Sequence, residues 1–273
     1  MRNRNVKLVL KYSKQADNLK AKKNLGVRII EIKPLGDTAI VIYFGEKISE
    51  KIHREIRQFM VGLNNTRVKG IIEWVPSYTS LAIYYRPEEI SYHTLVDKVK
   101  GIYTTSKHNE PYQPIVYEIP VYYGGETGPD LASIAQYCEI SQKEVIALHS
   151  NKEYLIYMLG FIPGFPYLGG LPSMLSVPRL EHPRRSVPAG SVGIGGNQTG
   201  IYPSEVPSGW RILGITPLKL FAIENSPPAL VAPGNYIKFI PINFEEYKTI
   251  KQWVDRKEYK VKTYIRGEQH ENH

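Results

Sequence analysis

Cysteine is nearly absent. Cys138 is the one thiol in 273 residues, which excludes an internal disulfide and suits a reducing compartment. No stretch approaches the ~20 consecutive apolar residues of a membrane helix. Near the N-terminus, VKLVLKY is short and broken by lysines, so neither a membrane span nor a secretory leader is expected. The compact catalytic signatures are missing too: there is no GxxxxGK[ST] phosphate loop, no GxSxG, no HExxH and no CxxC. This argues against a self-contained NTPase, serine hydrolase or zinc enzyme, and no metal site is expected. The reading is a cytoplasmic, soluble protein, in which the glycosylation-type triplets at Asn64 and Asn197 are chance.

Acidic residues are scarce only at one end. The net charge of +9 is concentrated in residues 1–25, which carry eight Lys or Arg against the single Asp17. The rest of the chain is close to neutral, so the total charge is no signature of nucleic-acid binding. A basic arm can bind nucleic acid or an acidic surface, or be a solvated leader; the second reading is preferred.

The pattern divides the chain into a basic extension (1–26), a small α/β unit (27–105), a polar, Pro-bearing linker (106–114), a β-rich unit with flanking helices (115–256) and a polar tail (257–273) expected to fray. In the α/β unit, VRIIEIKPLGDTAIVIYF reads as two strands around a Pro-Leu-Gly-Asp turn. Next, Ile52, Ile56, Phe59, Met60 and Leu63 fall at helical spacing after Ser49, a candidate N-cap. Two further short strands and a helix from Ser91 to about Tyr103 complete a ferredoxin-like arrangement, two helices across one antiparallel sheet.

Past the linker, IVYEIPVYYG reads as a strand, and GPDLASIAQYC and SQKEVIALHS as short helices, the second opened by a Ser141–Glu144 capping box. The helix pair has helix-turn-helix spacing, yet its second helix offers only Lys143 as a base near its start, so a structural role is preferred. EYLIYMLG, SVGIGG, RILGITP, LKLFAIE, ALVAPG and NYIKFIP are short strands punctuated by Gly and Pro, the pattern of a closed barrel or sandwich. A last helix, NFEEYKTIKQWVDR, carries an Asn243–Glu246 capping box.

The stretch Gly160–Gly214 holds 11 of the 22 glycines and 8 of the 20 prolines, threaded with Phe161, Phe165, Tyr167, Tyr202 and Trp210. Gly permits positive φ and close backbone approach, and Pro fixes φ. Such a stretch holds loops in fixed shapes, and fixed loops are where sites tend to lie. Its polar residues are few. Glu126 and Asp130 flank a Gly-Pro turn and could present carboxylates or serve turn and cap chemistry. His149 closes a helix and could act as acid or base, or simply complement the helix dipole. Arg184 and Arg185 could hold an anion or be solvated. GIGGNQTGIYP offers successive N–H groups as an anion nest, or is a barrel corner that needs glycine. Cys138 lies in an apolar helix pattern and reads as core.

The run GFIPGFPYLGGLP … PRRSVPAGSVGIGGNQTGIYPSEVPSGWRILG closely resembles the B-subunit family of ATP-dependent 5-oxoprolinase, also called the allophanate hydrolase subunit 1 or KipI family. YYGGETGPDL, EVIALHS and IKPLGDTAIVIYFG match it in order, so the resemblance covers about residues 27–241. It implies an α+β protein: the N-terminal ferredoxin-like α/β domain, then a cyclophilin-like β-barrel domain. It further implies two partners, a KipA-like C subunit and an A subunit of LamB/YcsF type. ATP would be used by the assembled complex to convert 5-oxo-L-proline to L-glutamate. An alternative within the family is a KipI-like inhibitor of a sensor histidine kinase. Neither nucleic acid nor a membrane is expected as a partner. On this reading His149 and Glu126 are the catalytic candidates, and Arg185, Gly195, Gly196, Gln198 and Tyr202 the substrate-binding ones, with His149 and Gln198 lining one cavity. Three departures stand out: the basic arm, Ser208 where the family has Gly, and Ile215 where it has Arg.

Overall fold

Ser49 starts the first helix as its sequence suggests, its hydroxyl accepting the Ile52 N–H at 3.2 Å. The computed structural model describes residues 30–105 and 113–267. The chain divides into two units, Met1–Asn109 and Glu110–His273. The basic extension and residues 106–112 of the expected linker lie outside the described residues.

In the first unit, strands β1 (Glu31–Pro34), β2 (Ala39–Tyr43), β3 (Ile71–Pro76) and β4 (Ser80–Tyr85) form one antiparallel sheet in the order β1-β2-β4-β3. Helices α1 (Glu50–Thr66) and α2 (Tyr92–Thr105) supply Ile52, Ile56, Phe59, Leu63, Leu95 and Val99 to a core shared with Ile40, Ile42, Leu81 and Ile83. Each such side chain contributes about 1.5–3 kcal/mol on burial. The element order is ββαββα rather than the βαββαβ of a ferredoxin-like unit. The edge place beside β2 is filled by β1, which comes before it in the chain, because the Pro34-Leu35-Gly36-Asp37 turn folds the first two strands into a hairpin.

The second unit is built on β5 (Ile115–Tyr123), β6 (Glu153–Leu159), β7 (Pro166–Gly169), β9 (Ser191–Gly195), β10 (Gln198–Ile201), β12 (Arg211–Ile215) and β13 (Tyr236–Ile242). They run β12-β9-β10-β7-β6-β13-β5, and β12 pairs back onto β5, closing a seven-stranded barrel. All neighbours are antiparallel except β5 and β13. Alternation sends Ile119 and Val121 of β5, Ile156 of β6, Leu168 of β7, Val192 and Ile194 of β9, Leu213 of β12, and Ile237 and Phe239 of β13 to the core. A two-stranded ribbon, β8 (Arg184–Val187) with β11 (Val206–Ser208), lies apart from that ring.

Helices α3 (Leu131–Tyr137), α4 (Gln142–Ser150) and α5 (Phe244–Asp255) flank the barrel, and both expected capping boxes are present. Cys138 is half-buried against the core, and burial raises its thiol pKa. Two expected strands are absent: LKLFAIE and ALVAPG are irregular and share a single bridge, Phe221 with Ala229. The described part of the tail, residues 257–267, also differs from expectation, and 268–273 lie outside the described residues. Residues Thr263–Ile265 form β14 on β5, and Tyr264 Oη and Arg266 Nε each donate to Glu153 at 2.8 Å. Polar composition concealed a strand whose charged and hydroxyl groups are paired. Among the described residues no helix is long and apolar enough to cross a membrane.

Candidate functional site

The His149 ring occupies the barrel interior. It comes from the last turn of α4 and has no exposed surface. Thr199 donates its hydroxyl to the Gly193 carbonyl (3.1 Å), so the same oxygen accepts from His149 Nε2–H (2.9 Å). Nδ1 is then the acceptor for the Tyr123 hydroxyl at 2.7 Å. This fixes a neutral tautomer with both nitrogens satisfied. Desolvation lowers the His149 pKa to about 3, and burial raises that of Tyr123. The ring therefore braces β5 against β10 across the lumen. A general base must reach the proton it moves, and this enclosed ring presents no such surface.

Gln198 does not share that interior. Thr199 points inward, so its strand neighbours Gln198 and Gly200 face the outside of the barrel, with Gly195 and Gly193 as their β9 partners. The expected cavity between His149 and Gln198 is thus replaced by a strand seen from its two sides. Glu126 is exposed in the short turn Gly125–Thr127 after β5, and the structure does not bring its carboxylate to the enclosed imidazole.

The glycines read as an anion nest have other partners. Gly195 lies in the β9–β10 ladder under Trp210, where a Cβ would come within 2.6 Å of the indole. Gly196 has φ +60° and, with Asn197, forms the two-residue hairpin loop, the place where such a turn requires glycine. Its N–H is already donated to the Val177 carbonyl at 2.8 Å. Close approach to the indole at Gly195 and the hairpin turn at Gly196 account for glycine at these two positions.

That aromatic group is a second, smaller core. Phe165, Tyr202, Trp210, Val187 and Ile212 are buried together, with Tyr167 and Ile162 at the rim. Phe165 makes edge contacts with Tyr167, Tyr202 and Trp210 at centroid distances of 5.2, 5.3 and 5.8 Å. The Tyr202 hydroxyl lies 2.6 Å from Ser208 Oγ, which also accepts the Trp210 N–H at 3.0 Å. Ser208, where glycine was expected, therefore ties the turn that presents Trp210. Arg179 stands over the indole at 5.9 Å.

Asp130 and Arg184 form the third feature. The buried Asp130 carboxylate accepts Arg184 Nη2 (2.8 Å) through Oδ1 and the Ile212 N–H (2.6 Å) through Oδ2. It locks the start of α3 to β12 and to the β8–β11 ribbon. Arg185, the next residue of β8, is exposed. Thr199, Tyr123 and the pairing of Asp130 with Arg184 are not among the sequence-based expectations. One signal was available: SVGIG and QTGIY flank a Gly-Asn dipeptide, a two-residue hairpin pattern.

Residues 30–231 match the family described as carboxyltransferase domain, subdomain C and D. The chain is 40% identical over 233 residues to the 5-oxoprolinase B subunit of Bacillus subtilis (strain 168), covering 81% of this chain and 97% of that one. It is 40% identical over 210 residues to the 5-oxoprolinase B subunit of Escherichia coli O157:H7, covering 76% and 94%. Among solved structures, TTHA0988 superposes with TM-score 0.67 at 34% identity, over 78% of this chain and 40% of that longer chain. The urea amidolyase of K. lactis shares the fold, with TM-score 0.71 at 19% identity over 86% of this chain and 16% of its own. Near-complete coverage of relatives at this identity leaves one assignment: the chain belongs to the 5-oxoprolinase B-subunit family, with its body formed by carboxyltransferase subdomains C and D.

Proposed function

We propose that this chain is the B subunit of a cytoplasmic, ATP-dependent 5-oxoprolinase, which with the A and C subunits opens 5-oxo-L-proline to L-glutamate. The observation that carries the reading is the 40% identity to a 5-oxoprolinase B subunit, over 97% of that relative. The N-terminal unit is read as a ferredoxin-like sheet with a permuted edge strand, and the barrel as cyclophilin-like. A lactam is a poor electrophile. Transfer of the γ-phosphoryl group of ATP to its oxygen releases ADP and creates a phosphate leaving group. Water then adds to that carbon and the C–N bond breaks as the ring nitrogen takes up a proton, leaving the side-chain carbon as an acyl phosphate, which a second water hydrolyses to the carboxylate and free phosphate. The sequence lacks a phosphate loop, which supports placing ATP use in the assembled complex.

On this reading the substrate-facing groups of the chain lie outside the barrel wall, with Gln198 bonding the lactam amide and Arg185 the carboxylate. Tyr202 and Trp210 support that surface. His149 is a positioning residue: through Thr199 it fixes β10 and hence Gln198. Glu126 is retained as the candidate acid or base because its carboxylate is exposed.

The test is ATP hydrolysis dependent on 5-oxoproline, measured with this chain alone and with the A and C subunits added. Turnover is expected in the assembled set alone. Full turnover by the isolated chain would reject the division of labour, and none in the assembled set would reject the assignment. A chain silent there but inhibitory toward a sensor histidine kinase would replace this reading with a regulatory one.

A further inference from the structure

The indole of Trp210 lies across three glycines of the barrel wall. Cβ atoms built on Gly193, Gly195 and Gly200 would meet its Cβ at 3.5 Å, its Nε1 at 2.7 Å and its Cζ3 at 3.2 Å in turn. The benzene edge therefore stands at Gly200 and the pyrrole edge, with the N–H, at Gly195. Gly195 is the residue paired with Gln198 across the β9–β10 hairpin, on the same outer face. Opposed residues on one face hold their Cβ positions about 4.5–5.5 Å apart, so the indole N–H and the Gln198 side chain are neighbours.

The other flank of Gln198 is built alike. Thr199 pairs with Leu168 of β7, which sets Gly169 beside Gln198 on the outer face. The Tyr157 ring stands where a Gly169 Cβ would be. Gln198 thus rises between two residues without side chains, each covered by an aromatic ring.

Trp210 is only 6% exposed, and a tryptophan so deeply buried usually gives its N–H to an acceptor. Its backbone N–H has one in Ser208 Oγ, but among the described residues none accepts the indole N–H. Nor is that nitrogen sealed off, since the buried and unpartnered side-chain polar atoms of the described residues lie elsewhere. The little surface the residue keeps therefore includes its donor. Arg179, with Cζ 5.9 Å from the ring centroid, draws on the π electrons and strengthens the N–H as a donor.

We infer that Trp210 is a substrate-binding residue, its indole N–H donating to the lactam carbonyl oxygen while the Gln198 carboxamide oxygen accepts the lactam N–H. This deepens the functional reading given above and rests on it. A ring amide is held cis, so its N–H and C=O point to one side. An acceptor and a donor standing side by side read both at once. One lone pair of the carbonyl oxygen takes the indole, and the other stays free for the phosphoryl group. A site with a buried donor also rejects a ligand that lacks the matching acceptor.

The test labels the indole nitrogens of this chain with 15N, in an assembly with unlabelled A and C subunits and without ATP. The chain has three tryptophans, and Trp210→Phe assigns the signal by its loss. 5-Oxo-L-proline is expected to move the Trp210 N–H signal downfield and saturably. Cyclopentanecarboxylate, which keeps the ring and the carboxylate but has no amide, is expected to leave it in place. In the active assembly Trp210→Phe should raise the KM for 5-oxoproline about three- to tenfold with kcat unchanged, the scale of one lost hydrogen bond. A melting curve reports whether the variant is folded. If it is not, Trp74→Phe and Trp253→Phe assign the signal by elimination, and the shift decides. A Trp210 signal unmoved at saturating substrate in an active assembly overturns the inference. So does an equal shift with cyclopentanecarboxylate, or an unchanged KM in the folded variant. A wild-type assembly without turnover overturns the functional reading itself, so the two failures are told apart by wild-type activity.

Discussion

The imidazole of His149 lies against the ring of Phe239, centroids 4.5 Å apart and planes inclined by 23°, with no exposed surface on either residue. A histidine so placed makes folding compete with protonation. Its folded pKa is lowered to about 3 from an ordinary 6.5. Between these values the unfolded chain takes up a proton that the folded one refuses. The stability linked to this group is fully present above pH 6.5 and drains away as pH falls toward 3, by up to about 1.4 kcal/mol per pH unit. Urea unfolding followed by tryptophan fluorescence between about pH 7 and pH 4.5 should show that slope. His149→Gln, which keeps a donor for Thr199, should be less stable at neutral pH but lose less on acidification. Equal slopes in the two proteins would remove His149 as the titrating group.

Gly195→Ala should strain the second core. The new methyl would lie 2.6–2.9 Å from three atoms of the Trp210 indole, inside any normal contact. Overpacking of this kind costs about 1–3 kcal/mol. If the indole is the cause, adding Trp210→Leu should make the double variant less unstable than the sum of the singles. Additive losses in urea denaturation would point to some other origin.

Asp130→Asn leaves Arg184 facing a neutral amide that can accept only through one oxygen, while the Ile212 N–H needs the same acceptor. A charge-assisted bond to a buried carboxylate is worth about 1.5–3 kcal/mol, and a loss near 2 kcal/mol is expected. Removing both partners with Asp130→Asn and Arg184→Met should cost less than the two single losses together. A neutral Asp130→Asn in thermal melts would refute the locking role.

Gln198→Ala separates surface recognition from architecture. The residue is half-buried on the outer side of β10, so the melting temperature should change little. The KM for 5-oxoproline in the assembled enzyme should rise about three- to tenfold with kcat unchanged, the signature of one lost uniform binding contact. A wild-type KM would take Gln198 out of the substrate surface.

The helices were the most legible part of the chain. Ser49, Ser141 and Asn243 announce their caps locally, and the apolar spacing of Ile52, Ile56, Phe59 and Leu63 needs no tertiary knowledge. The barrel was legible as a class, since short strands with Gly and Pro corners leave few alternatives. Its details were not. Ala229 and Phe221 sit in β-rich strings yet bridge at one point only, because neither string finds a ladder partner. Thr263–Ile265 looks like tail but pairs with the free length of β5. The site was the least legible. His149 has the composition of a catalytic residue, and what decides its role is burial between Tyr123 and Thr199, which lie 26 and 50 positions away in the chain. Glycine has the same ambiguity: Gly195 looks like part of an anion nest until the indole above it is placed.

The barrel ring has consequences for the order in which the chain can assemble. β13 is the parallel neighbour of β5 and also pairs with β6, so both of those earlier strands wait for residues Tyr236–Ile242. The seam between β12 and β5 holds by just two residue pairs, Gly214 with Tyr123 and Ile215 with Tyr122, and at Gly214 any side chain would strike the Tyr122 carbonyl. The first unit, with its near-sequential hairpins and helices, can complete itself while the chain is still being made. The second cannot, since such distant pairings carry a loop-closure cost before they return any stability. During synthesis β5 and β6 stand as open sheet edges until the last strands arrive, and that interval is when a newborn chain is most exposed to pairing with the wrong neighbour.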